Sequence, residues 1–290
     1  MLIDTHCHIH DRRTYNYALS RQQVGKKLLR KYPDLPHEPE DFLPEKIIAR
    51  AHEADVKKMV CIGTSHEDSM EACEFATKYA NEGIYWTYGI HPDETNAKSE
   101  YRSPSPLLLM DSLPDIPAIT TGPEKRRFQR LVAIGEVGLD YRDCEANRIA
   151  QIKLFEQMLQ LAHDNDLPVV LHIREAFDDL FAVLENFPET RGVVHSFSDS
   201  LDNLKKSLNK GFYIGVNGLA TFAPEIPLPP LEKMLLETDA PFLTPSPFRG
   251  TINEPAHIRD VCAHISKLMG ESEAHVAEIT TKNAEQLFRL

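Results

Sequence analysis

The chain has 290 residues, 42% apolar and 26% charged, with no biased tract and no internal repeat, and it reads as a soluble globular protein. No apolar run approaches the roughly 18 residues a membrane span needs, and Asp4 and His6 stand where a leader would be basic and then apolar, so the expected location is cytoplasmic. Acidic residues outnumber basic ones by 44 to 32, a net charge of −12 that disfavours a broad electrostatic grip on nucleic acid but not an enzyme that meets phosphate locally through a bound cation.

The first candidate strand, LIDTH (2–6), opens the segment MLIDTHCHIH. Strand alternation puts His6 and His8 on one face with Asp4 and turns Cys7 to the other, and two imidazoles so placed can grip one metal ion. The plain alternative is a set of polar residues at a frayed terminus. Residues 11–43 then form a long, mixed-charge connection, within which KKLLRK (26–31) is the densest basic cluster; on a helix it reads as a solvated face. The helical stretch 44–56 leads to the strand KKMVCIG (57–63), and the helical stretch 67–81 to IYWTYGI (84–90), which runs into His91. A second long connection, 92–128, is rich in Pro and Ser, and connections of this length are mobile or functional.

LVAIGEVG (131–138) carries Glu136, and the following helix, 148–166, places Ile152, Phe155, Leu159 and Ala162 on one apolar stripe. PVVLHI (168–173) ends beside His172, GVVHSF (192–197) holds His195, FYIGVNG (212–218) follows, and KMLLETD (233–239) ends on Asp239. Helical stretches at 175–187 and 201–210 separate these strands, and two more, 255–270 and 273–288, come after the last. Eight strands alternating with helices imply βαβ units and a parallel sheet. The expected architecture is an α/β TIM (β/α)8 barrel, a single domain over residues 1–290, with enlarged loops after strands 1 and 3. The five cysteines are scattered, odd in number and without a CxxC pair, which suits reduced thiols.

A parallel barrel places its chemistry at the C-terminal ends of its strands. His6, His8, Glu136, His172, His195 and Asp239 all fall there, with His91 following strand three. Each alone has a dull explanation, such as a hydrogen-bonded core histidine or an Asx turn. Together they put four imidazoles and two carboxylates in one mouth, which is costly unless a partner such as a metal centre is present. Six ligands exceed one tetrahedral site and suit two cations sharing a bridging carboxylate. The natural division gives His6, His8 and Asp239 to one ion, His172 and His195 to the other, and Glu136 to both.

The stretches DTHCHIH (4–10), GTS (63–65), GIHPDE (89–94), AIGEVGLDY (133–141), LPVVLHIREA (167–176), VVHSFSDS (193–200), GFYIGVNG (211–218), LLETDAPFLTP (235–245) and RGTINEPAHI (249–258) resemble, in order and spacing, the TatD family of metal-dependent hydrolases among the amidohydrolase-like barrels. The resemblance covers almost the whole chain. It implies a TIM-type barrel, a divalent metal centre and hydrolysis, usually as a deoxyribonuclease. Carried over by motif, His6 and His8 are the HxH metal pair, Glu136 the bridging glutamate, His172 and His195 the second-ion histidines, and Asp239 a ligand that also handles the water proton. Arg174, two residues past His172, is placed to face a substrate phosphate. The sequence departs from the family pattern at Asp93 and Asp199, where a His and a Gly often stand, and in the longer segment 11–43.

The expected reaction is hydrolysis of a phosphodiester, in DNA or another such substrate, by an activated water. Asp239 and Glu136 are the catalytic carboxylates, and Arg174 and His91 contact the substrate. Zn, Mn or Mg are the candidate ions for the two divalent sites. A deacylase or esterase with the same centre is the alternative, ranked lower because such barrels typically bridge with a carboxylated lysine where this chain has Glu136. A non-catalytic nucleic-acid-binding protein is weaker still, for there is no basic stripe, no RNP-like strand and no zinc-finger spacing. No GxSxG elbow or GxxxxGK[ST] loop is present, and no obligate protein partner is evident.

Overall fold

The structure, a computed structural model, describes residues 1–22, 24–95, 129–142 and 147–290. Its eight strands are β1 (Leu2–Cys7), β2 (Val56–Cys61), β3 (Ile84–Tyr88), β4 (Leu131–Asp140), β5 (Val169–Arg174), β6 (Gly192–Val194), β7 (Tyr213–Val216) and β8 (Met234–Leu236). They form one sheet in chain order, every neighbouring pair parallel. The chain beyond β8 returns to β1, where the Asp239 N–H donates to His6 O and the His8 N–H to Ala240 O, each at 2.8 Å, so the sheet curls into a nearly closed TIM barrel.

The described helices are α1 (Arg12–Arg21), α2 (Lys26–Lys31), α3 (Pro44–Glu53), α4 (His66–Lys78), α5 (Arg148–Asp164), α6 (Phe177–Leu184), α7 (Leu201–Asn209), α8 (Ile258–Met269) and α9 (Glu273–Phe288). Two cores result. The larger lies between the barrel and its helices and is built from residues such as Met59, Trp86, Phe155 and Ile265. The smaller collects Ile3, Val60, Val132, Val170, Val193 and Leu235 from the strands and is plugged by Ala284, Leu287 and Phe288 of α9. Each large apolar side chain so buried stabilises the fold by about 1.5–3 kcal/mol. Asn283 fastens the plug by donating to Leu231 O and Met234 O at 2.9 Å.

Three differences from the sequence reading bear on the site. Residues 11–43, read as a connection, contain α1 and α2; Asp11 caps α1 by accepting from the Arg13 N–H at 2.8 Å. β6 and β8 stop before His195 and Asp239, because Ser196 (φ 47°) and Asp239 (φ 59°) take left-handed backbone conformations that a strand cannot continue through. In β1 the register with β2 shifts between Asp4 and Cys7, and Cys7 joins the outer core while Ile3 lies in the inner one. Most of the expected loop 92–128 lies outside the described residues, as does Cys144; the other four cysteines are buried and form no disulfide among the described residues.

Candidate metal centre

β1 delivers two imidazoles whose Nε2 atoms, on His6 and His8, are 3.3 Å apart. The turn after β8 brings Asp239 Oδ1 to 3.5 Å from both. From the middle of β4, Glu136 reaches His6 Nε2 with one carboxylate oxygen at 3.5 Å, while its other oxygen accepts from His172 Nδ1 at 2.8 Å and lies 3.7 Å from His195 Nε2 and 3.9 Å from His91 Nε2. The His6 and His195 rings stack with centroids 3.5 Å apart. Three groups of potential ligand atoms, each within 4.8 Å, follow: His6 with His8 and Asp239, His6 with Glu136 and His195, and His91 with Glu136 and His172. His6, His8, His195, Glu136 and Asp239 therefore surround a common space. His172 stands on its far side beside His91, with ring centroids 4.4 Å apart, and shares Glu136 with the rest.

These residues fit divalent cations. An ion held tetrahedrally at about 2.0–2.1 Å by imidazole nitrogens sets its donors roughly 3.3–3.4 Å apart, and the His6, His8 and Asp239 atoms are separated by 3.3–3.5 Å. Charge argues the same way. Burial and the neighbouring His172 pull His91 down to about 4, and burial with His195 also lowers His6. Against the opposing effect of burial, Asp140 and Glu136 raise His172 to about 9, and Glu237 and Glu136 raise His195 to about 10. Protons are thus held on some of the imidazoles against Glu136 and Asp239. Bound cations supply that positive charge without a proton.

The ligand set has orienting partners that sequence reading missed. Asp140 Oδ2 lies 3.0 Å from His172 Nε2, and Glu237 Oε1 lies 3.1 Å from His195 Nδ1. Glu237 is almost fully buried and accepts from the Ser196 N–H at 2.6 Å. Their signal was in the motifs, as the Asp of GLDY and the Glu of ETD, but only proximity in space reveals what they touch. His8 Nδ1 is set by Ile62 O at 3.1 Å. Asp4, which strand alternation groups with His6, instead accepts from the Thr238 hydroxyl at 2.6 Å and from its N–H at 3.0 Å, and pins β1 to the end of β8.

Above the centre opens a cavity of about 1070 Å³ whose walls include His8, His91, Glu136, His172, His195 and Asp239. Arg174 lines it, its guanidinium 3.9 Å from Asp140 and 43% exposed, with Arg142 and Arg13 also on the wall. Phe242, Leu243, Leu219 and Ile226 give the cavity an apolar side.

Residues 3–289 match the family described as TatD related DNase. The chain belongs to this TatD family. Among the relatives of this TatD chain is a Bacillus subtilis protein named as an uncharacterized metal-dependent hydrolase, YabD, 31% identical over 85% of this chain and 92% of that one. Another is named 3'-5' ssDNA/RNA exonuclease TatD, from Citrobacter rodentium, 32% identical over 84% of this chain and 91% of its own. A solved structure of YJJV, a TatD homologue from Escherichia coli K12, superposes with a TM-score of 0.75 at 29% identity, covering 100% of this chain and 98% of that one. Among the described residues, no helix is long and apolar enough to cross a membrane.

Proposed function

We propose that this TatD protein is a metal-dependent phosphodiesterase that trims single-stranded nucleic acid, working in the cytoplasm as one barrel domain over residues 1–290. The observation that carries this reading is the convergence of His6, His8, His195 and Asp239 with His172 on Glu136, at the floor of an open cavity that Arg174 overlooks. Two divalent cations, of Zn, Mn or Mg, would be held here, one by His6, His8 and Asp239 and the other by His172 and His195, which both approach the same Glu136 oxygen, at 2.8 and 3.7 Å. His91 stands close enough to Glu136 and His172 to serve either as a ligand or as a substrate contact. When bound, such cations lower the pKa of a coordinated water and withdraw electron density from a phosphoryl oxygen.

The chain's own residues supply the rest. Asp239 has one carboxylate oxygen directed to the His6–His8 pair and lines the cavity, where it accepts the proton of the attacking water. Burial raises its pKa, but the hydrogen bond from His8 and the charges of His195 and His6 outweigh burial and keep it ionised. Arg174 neutralises charge that develops on the non-bridging oxygens. Glu237 and Asp140 hold His195 and His172 in orientation, so that little reorganisation accompanies the reaction. The relative named as a 3'-5' ssDNA/RNA exonuclease favours stepwise removal of nucleotides as the mode of action.

The test is elemental analysis of the purified chain, then chelation and add-back of each metal with single-stranded DNA, an aryl phosphodiester and an acyl ester as parallel substrates. Two equivalents of metal per chain and metal-restored cleavage of DNA are expected. Hydrolysis confined to the acyl ester would overturn the reading in favour of a deacylase.

A further inference from the structure

The residues 11–31 include seven basic side chains and one acidic one, within a chain whose net charge is −12. All but Asp11 of these charged residues lie in α1 and α2, between β1 and β2, on the face of the barrel that carries the centre. α1 starts at the cavity, where Asp11, Arg13 and Thr14 contribute to the wall, and its ten residues run for about 15 Å. Tyr15 seats α1, fully buried and with its hydroxyl 3.4 Å from Asn253 O. Tyr32, at the end of α2, packs on Phe248 with ring centroids 4.9 Å apart, and Phe248 belongs to the same post-β8 segment that sends Phe242 and Leu243 into the cavity wall. The insert therefore runs from the cavity wall at the start of α1 to the post-β8 segment at the end of α2.

Its cations are unequal in what they do. Arg13 is occupied by Asp11, Asp68 and Glu71. Arg21 and Lys31 lie over the rings of Tyr17 and Tyr32, and Lys26, Lys27 and Arg30 have no carboxylate partner among the described residues. No side chain of α2 is buried, so the helix adds little to the core. The mouth itself is acidic: Asp11, Glu67, Asp68, Asp93 and Glu94 are on its wall. A polyanion approaching the cavity needs a compensating positive surface, and this insert, which starts on the cavity wall, supplies a cluster of cations among the described residues.

We propose that α1 and α2 form a basic arm that docks the phosphate backbone of the single strand whose end occupies the cavity, through Arg21, Lys26, Lys27, Arg30 and Lys31. The proposal rests on the phosphodiesterase reading for what happens to the strand, but docking itself needs no turnover. It extends the substrate beyond the scissile bond, so long strands bind better than dinucleotides and the advantage fades with salt.

The experiment compares the full chain with the quadruple variant K26Q/K27Q/R30Q/K31Q and with K26R/K27R/K31R, all confirmed folded by circular dichroism. Anisotropy of a fluorescein-labelled oligothymidylate, in chelator, reads docking; cleavage of the same oligomer and of a thymidine dinucleotide, with metal, reads turnover. Affinity for the oligomer is expected to fall by about tenfold in the Gln variant, and the slope of log affinity against log salt to shrink by roughly 0.7 for each phosphate that is no longer neutralised. The Arg variant keeps both, and dinucleotide turnover is unchanged. Equal oligomer affinity and salt slope in the wild type and the Gln variant would overturn the arm. So would weaker binding to phosphatidylserine vesicles with oligomer binding intact, which would assign the arm to a membrane surface. Absence of cleavage of any phosphodiester with any metal would instead remove the enzymatic reading and leave the docking result standing.

Discussion

Glu237 stands directly behind His195, its Oε1 3.1 Å from Nδ1, and the carboxylate is pressed against Gly215, where an added Cβ would come within 2.3 Å of Oε2. A buried carboxylate behind a metal-ligating imidazole fixes the ring and raises its basicity. Replacing Glu237 by Gln is expected to weaken divalent-metal affinity about 10–100-fold while the fold persists. Competition with a chromogenic chelator measures it, and unchanged affinity would leave Glu237 a merely structural group.

Gly215→Ala tests the same relationship from the strand side. The new methyl group displaces the Glu237 carboxylate, so metal affinity should fall as it does in E237Q, with no further fall in the double variant, since the two changes act on one interaction. A titration of the single and double variants gives the coupling directly.

Asp239→Asn is expected to lower turnover by about 10²–10⁴-fold and to leave the circular dichroism spectrum intact. Asn tolerates the left-handed backbone at this position (φ 59°) better than other neutral residues except Gly. Because Asp239 is also an assigned ligand, metal content is measured on the same sample; near-normal turnover with full metal content would eliminate it as the proton acceptor.

Arg174→Ala should reduce kcat/KM on phosphodiesters by about 10–100-fold, because charge on the phosphoryl oxygens is left uncompensated, with Arg174→Lys recovering part of it. A steady-state comparison on one small diester, which does not reach the basic arm, isolates this effect. Equal values in all three proteins would place Arg174 outside the reaction.

His257 offers a stability test away from the proposed metal ligands. It is buried, its Nδ1 is 3.0 Å from Asn253 Oδ1, and its ring stacks on Phe248 at 5.0 Å. Burial, assisted by Arg50 and only partly opposed by Glu254 and Asp260, lowers its pKa below 6.5. The unfolded chain then binds the extra proton first, so stability falls as pH drops below about 6.5, by at most about 1.4 kcal/mol per pH unit from this group. Thermal melts of the wild type and His257→Gln between neutral and mildly acidic pH should show a shallower decline in the variant; parallel declines would exclude the effect.

The alternation of apolar runs with amphipathic stretches, local information by nature, was enough to identify eight strands and to bring His6, Glu136, His172, His195 and Asp239 to one end of a barrel. What that pattern does not carry is how side chains meet across strands. Pairing of Glu237 with His195 and of Asp140 with His172, the capture of Asp4 by Thr238, and the entry of His91 into a ligand group all depend on barrel closure and register shifts. The segment 11–43 was harder to read for a related reason: its helices bury little, so no apolar stripe announces them, and long-range contacts, Tyr15 and Tyr32 with the post-β8 segment and Arg13 with Asp68 and Glu71, set where its positive charge lies. Sequence by itself determined the scaffold and the candidate ligands, because periodicity and strand ends are properties of neighbours along the chain. Tertiary structure alone decided which donor orients which ligand and what borders the mouth, because those interactions join residues that are far apart until the sheet closes.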